Sequence, residues 1–142
     1  MSIESIVVFI TADSQATAQN IADKLLTARK AACVNIIPEV SSQYWWQGKI
    51  ENADELMLVV KTRAALLDEL IELVKQNHPY TVPEIIALPI IGGNQDYLDW
   101  IDKETTAKSR VKPKLSQLLK KVNKKNLHPE IDFRPPIGKE IL

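Results

Sequence analysis

The sequence contains one cysteine, two histidines and four glycines in 142 residues, and these low numbers restrict its chemistry. The lone Cys33 cannot form an intramolecular disulfide, so nothing in the composition points to secretion. No CxxC, HxxxH or other closely spaced His/Cys set is present, which leaves no recognisable metal-binding motif. Gly92-Gly93 lacks the rest of a nucleotide fingerprint, and nothing places His78 beside Cys33. The sequence therefore indicates a protein that is not an enzyme.

Long apolar runs are missing as well. No stretch approaches the roughly 18–20 apolar residues that a membrane span requires. The N-terminal stretch carries Glu4 and has no basic cluster before its apolar residues, which is the reverse of a signal peptide. These absences predict a cytoplasmic protein that does not interact with a membrane.

Charge is distributed unevenly, although the formal net charge is zero. Residues 1–106 carry 8 Lys and Arg against 15 Asp and Glu, whereas residues 107–142 carry 10 against 3. We expect an acidic domain followed by a basic C-terminal extension, with a helix over Leu115 to Val122. The extension could dock on its own or a neighbouring domain, or bind nucleic acid or anionic lipid. Its apolar residues favour docking and argue against a nucleic acid partner.

The apolar pattern alternates between short β-branched runs and residues at helical spacing. The expected elements are strands at 6–11, 33–46, 50–62 and 85–91 and helices around 21–28, 66–74 and 97–101. Asp13 or Ser14 can cap the first helix, and Asn94 the last. The order βαββαβ predicts an α+β, ferredoxin-like antiparallel sheet with both helices on one face, followed by a C-terminal helix and tail.

Both faces of the predicted strands are apolar, which the helices of one chain cannot cover. Leu56, Leu58 and Val60 alternate with the equally apolar Met57 and Val59. We expect the second cover to be another copy of the protein, in a cyclic homo-oligomer whose strand edges pair between subunits.

Five linked segments resemble the CutA, or divalent-cation tolerance, family in order and spacing. They are ACVNIIP at 32–38, SQYWWQGKIE at 42–51, KT at 61–62, HPYTVPE at 78–84 and YLDW at 97–100. The similarity covers about residues 3–104. It implies a ferredoxin-like fold, a homotrimer with strands paired between subunits, and binding of divalent metal, copper above all, in metal-ion tolerance.

Three side chains are candidate metal ligands: His78, Cys33 and Glu84, within one chain or across subunits. Imidazole and thiolate suit copper or zinc, although Cys33 could instead fill the core and His78 could make a structural hydrogen bond. Ile10 and Asn77 are poor copper ligands near these positions, which favours weak or oligomer-dependent binding of Cu(II) or another divalent metal. No organic cofactor is expected.

Aromatic and charged side chains are candidates for lining a cleft between subunits. The candidates are Tyr44, Trp46, Lys49, Glu51, Lys61 and Tyr80. The aromatic rings could pack at the interface or stack on a ligand, and the charges could line the cleft or form a solvated rim.

Two functions are compatible with the sequence. The first is a homotrimeric copper-binding protein of metal tolerance; the alternative is a trimeric regulatory or scaffolding protein that binds a small ligand or protein partner in its intersubunit clefts. RNA binding through the sheet is disfavoured because the candidates for central strand positions are aliphatic and the domain is acidic. These candidates are Val34, Ile36, Leu58 and Val60.

Overall fold

The structure is a computed structural model, and it describes residues 4–106. Its elements are β1 Ser5–Ala12, α1 Gln15–Thr27, β2 Cys33–Trp46, β3 Lys49–Arg63, a 3-10 turn Ala64–Leu66, α2 Leu67–Gln76, β4 Ile85–Pro89 and α3 Gln95–Thr106. The strands form one antiparallel sheet in the order β2-β3-β1-β4. This confirms the predicted ferredoxin-like fold. The basic extension at 107–142 and its predicted helix lie outside the described residues.

Helix α1 begins at a side-chain cap, and a residue in the left-handed backbone conformation follows its end. Ser14 is the N-cap, and its Oγ accepts the amide of Thr17 at 3.1 Å, in agreement with the sequence prediction. The chain leaves the helix at Arg29, which adopts a left-handed φ of 61°. From this turn the Arg29 guanidinium reaches Glu104 at 2.6 Å, so an ion pair ties the end of α1 to α3.

One face of the sheet forms the core. Apolar side chains of β1 and of the second half of β3 are fully or almost fully buried there, and α1 and α2 cover them. These residues are Ile6, Val8, Ile10, Ala12, Leu58 and Val60. Burial of each large aliphatic side chain contributes about 1.5–3 kcal/mol to folding, so this face carries most of the stabilisation. No helix of the described region is long and apolar enough to cross a membrane.

The second face is covered at one end by the chain itself. Arg63, which points to this face, donates from Nε to Thr105 Oγ1 of α3 at 2.8 Å, and Ile101 of the same helix is fully buried. Further along the face, Ile86 and Leu88 of β4 are 50% and 43% exposed. The prediction that the chain itself does not cover the second face is therefore wrong where α3 packs on it. Around Ile86 and Leu88 the described residues leave this face exposed.

The sheet order also corrects the assignment of central strands. Strands β3 and β1 are central, whereas β2 is an edge strand, so Val34 and Ile36 lie at the edge. All four aliphatic residues that argued against RNA point to the helix-covered face, where no nucleic acid could reach them. The second face of the sheet, which we call the open face, carries Phe9 and Lys61 instead. The prediction about nucleic acid therefore loses that support and stays a prediction.

An extra residue interrupts the pairing of β2 with β3. Ile37 pairs with Met57, but Val40 pairs with Glu55, so two residues of β2 stand opposite one residue of β3. Glu39, inside this β-bulge, adopts a left-handed φ of 60°. Because strand side chains alternate between faces, one additional residue reverses the face of the sheet to which every later side chain of the strand points. The even positions of β2 therefore point to the helix side before the bulge and to the open face after it.

We predict that the bulge makes position 39 sensitive to side-chain branching. Glu39→Val should lower the free energy of unfolding by about 1–2 kcal/mol, because a β-branched residue fits the left-handed region poorly. Glu39→Gly should stay within about 1 kcal/mol of wild type, since glycine relieves the strain but gains entropy when unfolded. Chemical denaturation measures both values. Glu51→Val, at an ordinary strand position of the same hairpin, is the control, and equal stability of the two valine variants would contradict the prediction.

Candidate functional site

A cavity of about 630 Å³ opens where the bulged hairpin meets the segment between α2 and β4. The described residues that line it are Thr11, Ser42, Gln43, Tyr44, Trp46, Glu55, Pro79, Tyr80, Thr81, Val82 and Glu84. Tyr44 and Trp46 reach the cavity because the bulge turns them to the open face, where Thr11 and Glu55 also point. Its volume lies in the range of pockets that hold small organic ligands.

Glu55 is the buried acid of this cavity. Only 7% of the residue is exposed, and its Oε2 accepts the phenol of Tyr80 at 2.8 Å. Burial, this hydrogen bond, and the charges of Glu55 and Asp13 raise the pKa of Tyr80 above its usual value. Tyr80 therefore remains a neutral donor that holds one oxygen of Glu55 in place.

Glu84 contributes a second carboxylate. Although the residue as a whole is exposed, partial burial of its carboxyl and the charge of Glu55 raise its pKa. None of the described lining residues is a lysine, an arginine or a histidine. The cavity thus has negative charge and no cationic side chain among those residues to balance it.

His78 is used structurally beside this cavity. It is buried, and its Nε2 lies 2.7 Å from the carbonyl of Thr11, while Tyr80 N–H donates to Nδ1 at 3.2 Å. This pattern assigns the neutral tautomer with the proton on Nε2. Strand β4 begins opposite Ile10, so the carbonyl of Thr11 has no partner from β4. His78 provides the hydrogen bond to this carbonyl instead. Both ring nitrogens are engaged, and a metal would have to displace one of these bonds.

Cys33 lies at the other end of the sheet. It starts β2 opposite Lys61, and its Sγ is 3.7 Å from Asn35 Oδ1, which also accepts the Lys61 ammonium. Burial, together with the nearby Cys33, raises the pKa of Tyr97 to about 12. Since β2 and β4 are the two edge strands, three strand spacings, roughly 14 Å, separate Cys33 from the β4 edge.

The predicted metal ligands consequently do not converge in one chain. Within residues 4–106 no three His, Cys, Asp or Glu side chains form a group that could hold a metal ion. A defined copper or zinc site needs three or four ligands. Residues 4–106 of a single chain therefore do not fit such a site, and the set of His78, Cys33 and Glu84 stays a prediction.

The predicted cleft residues divide into two groups. Tyr44, Trp46 and Tyr80 line the cavity together. Lys49 and Glu51 are exposed near the tip of the hairpin, beyond the lining, and Lys61 lies beside Cys33. The structure thus brings the aromatic candidates together. Lys49 and Glu51 pair with Trp46 and Tyr44 across the hairpin without lining the cavity, whereas Lys61 lies on the far side of the bulge.

The sequence reasoning missed Glu55. It lies within the predicted strand at 50–62, where a charged residue before an apolar run gave no sign of burial. The signal that could have identified it is the Pro38-Glu39 pair within β2, because proline lacks an amide for the ladder and often marks a bulge. A bulge there would have put Tyr44 and Trp46 on the face of Glu55.

Comparison with known proteins gives the family. The sequence model of the CutA1 divalent ion tolerance protein matches residues 6–104. The chain belongs to the CutA1 divalent ion tolerance family. The divalent-cation tolerance protein CutA of Thermus thermophilus is 52% identical over 99 residues, which are 70% of this chain and 96% of that protein. Membership supports a role in metal tolerance and confirms the resemblance found in the sequence.

Solved CutA1 structures have the same fold. The crystal structure of CutA1 from Oryza sativa matches with a TM-score of 0.70 and 47% identity, covering 72% of this chain and 94% of that one. The Thermus thermophilus CutA1 structure matches with a TM-score of 0.68 and 52% identity, over 68% of this chain and 94% of that one. The chain spans 59% of the length of the curated rice relative and 57% of the Arabidopsis thaliana relative.

The prediction of a cytoplasmic location was wrong. The rice and Arabidopsis thaliana CutA relatives are named chloroplastic, and a 46% identical structure from Archaeoglobus fulgidus, with a TM-score of 0.69 over 71% of this chain and 98% of that one, is named a periplasmic CutA. The physical reason is that the lone cysteine does not distinguish compartments. A fold held by apolar packing needs no disulfide, whether its surroundings are oxidising or reducing.

We predict that Tyr80 ionises later than an ordinary tyrosine. Its pKa is raised in the folded state, so its contribution to stability is complete below about pH 10 and is lost as the pH rises further. Tyrosinate absorbance, compared with that of Tyr80→Phe, isolates the titration. Glu55→Gln should lower the pKa of Tyr80 by removing the acceptor's charge, whereas Glu51→Gln should not. A wild-type Tyr80 that titrates at its ordinary pKa would contradict this geometry.

Proposed function

We propose that this CutA1 family member is a homotrimer that binds divalent cations, with Cu(II) as the leading ion, where neighbouring subunits meet. Binding at that place would supply the metal-tolerance role that the family supports. The observation that carries the proposal is the pair of sheet edges that have no neighbouring strand within residues 4–106, beside an open apolar face. We assign binding and not catalysis, because the thiol of Cys33 has no imidazole base in contact with it among the described residues.

Exposed apolar surface favours the oligomer. Ile37 on β2 and Ile86 and Leu88 on β4 are exposed on the open face. Such residues are stabilised when a second protein surface removes them from water. The outer edges of β2 and β4 have no strand beside them within residues 4–106, so each can pair with another chain.

A ring is the assembly that uses both edges. Joining the β2 edge of one copy to the β4 edge of the next is a head-to-tail contact, and such contacts form closed rings when the rotation permits. The same contact would bring Cys33 of one copy towards the β4 side of the next copy, on which Glu84 lies. Ligands that are separated within one chain would then come together at each interface.

Light scattering tests the assembly. We expect the mass of a trimer for the wild type, and a smaller mass for Ile86→Glu, because a charge on the open face would oppose burial against another copy. Leu26→Glu changes an equally large exposed residue on α1, away from this face, and should keep the wild-type mass. A well-folded wild-type monomer at micromolar concentration would disprove the proposed assembly.

Mixed oligomers test the metal site. Cys33→Ser and Glu84→Gln should each weaken binding of Cu(II), and of the redox-inert Zn(II), by at least about tenfold in calorimetry, or about 1.4 kcal/mol. Oligomers assembled from both variants should regain wild-type affinity at one interface, where an intact Cys33 meets an intact Glu84. Glu72→Gln, an exposed acid on α2, is the matched control and should bind both ions as the wild type does. Equal affinities in all proteins would contradict a shared site.

A second candidate function rests on the cavity. A preformed, half-enclosed space with aromatic and carboxylate lining is typical of small-ligand sites. This observation favours the alternative of a trimer that binds a small ligand, in addition to or instead of metal.

A further inference from the structure

We propose that the cavity lined by Tyr44, Trp46, Glu55, Tyr80 and Glu84 binds a small organic ammonium ion, such as a quaternary ammonium compound. The proposal deepens the second candidate function and depends on it. The cavity shares Glu84 with the proposed metal site, but the proposal does not require Cys33.

Unbalanced charge is the first argument. Tyr80 is the one described residue that donates to Glu55, and it reaches only Oε2. Among residues 4–106 no fully buried side-chain oxygen or nitrogen lacks a hydrogen-bond partner, so Oε1 keeps some exposure, and Glu55 lines the cavity. Glu84 adds a second carboxylate to the lining. A buried carboxylate with half its capacity unused is stabilised by a cation that enters beside it.

The aromatic lining is the second argument. Tyr44 and Trp46 reach the cavity on alternate positions of one strand, and Tyr80 reaches it from the segment before β4. Aromatic faces attract alkylammonium ions by cation–π interaction, with about 0.5–2 kcal/mol for each favourable contact. Carboxylates without aromatic neighbours would accept any cation, whereas this combination favours one that carries alkyl groups.

Size and coordination decide between an organic cation and a metal. A divalent metal requires several ligand atoms at about 2–2.6 Å, and no group of three suitable acidic, His or Cys side chains is present among the described residues. A bare ion would leave most of the roughly 630 Å³ empty. An organic ammonium ion needs one or two carboxylates and a broad apolar contact, which this cavity offers.

Calorimetric titration with choline tests the proposal, with a metal chelator present and the full-length protein in its native assembly. The neutral tert-butyl isostere of choline, in which carbon replaces the charged nitrogen, has the same shape. We expect choline to bind at least about tenfold more tightly than the isostere. Glu55→Gln, which keeps the size of the side chain and can still accept the Tyr80 hydrogen bond, should abolish that preference. Glu72→Gln, an exposed acid on α2, should retain it.

The outcomes are distinct from those of the metal experiment. Cys33→Ser should bind choline as the wild type does, even where it has lost metal binding. Equal affinity for choline and its isostere, or retention of the preference in Glu55→Gln, would overturn the proposal. Absence of choline binding would overturn it too.

Discussion

The additional residue in β2 decides which side chains of the long hairpin share a face. If Ile37 to Val40 paired without interruption, Tyr44 and Trp46 would point to the side of the sheet that the helices cover. The bulge at Glu39 places them with Glu55 on the open face. The cavity, its charge and its aromatic lining all follow from that irregularity, which the strained backbone of a non-glycine residue maintains.

The fold could be predicted from the sequence because its strands are β-branched and because α1 and α3 begin at polar cap residues. Strand β2 was placed correctly at 33–46, and Ser14 and Asn94 do begin helices. Strand β4 is shorter than predicted and ends at Pro89, since the apolar run that continues to Ile91 leaves the sheet. Apolar character alone cannot show where pairing stops, because that depends on the length of β1 beside it.

The candidate site was only partly predictable. The aromatic residues were identified by their type, but the sequence could not show which face they occupy, since facing depends on the register after the bulge. Glu55 was missed for the same reason. His78 was predicted as a metal ligand, whereas its two ring nitrogens form hydrogen bonds that connect the segment before β4 to β1. Hydrogen bonds to distant backbone groups leave no pattern in a single sequence.

The proposed ammonium site would link the stability of this domain to its ligand. A carboxylate buried with one phenolic donor is less stable than one with all its acceptors satisfied, and folding alone does not correct the deficit. A ligand that binds only the folded chain adds stability that grows with the logarithm of its concentration above its Kd. If the proposed ammonium site is occupied, the acidic cavity makes the folded state responsive to the concentration of that ligand.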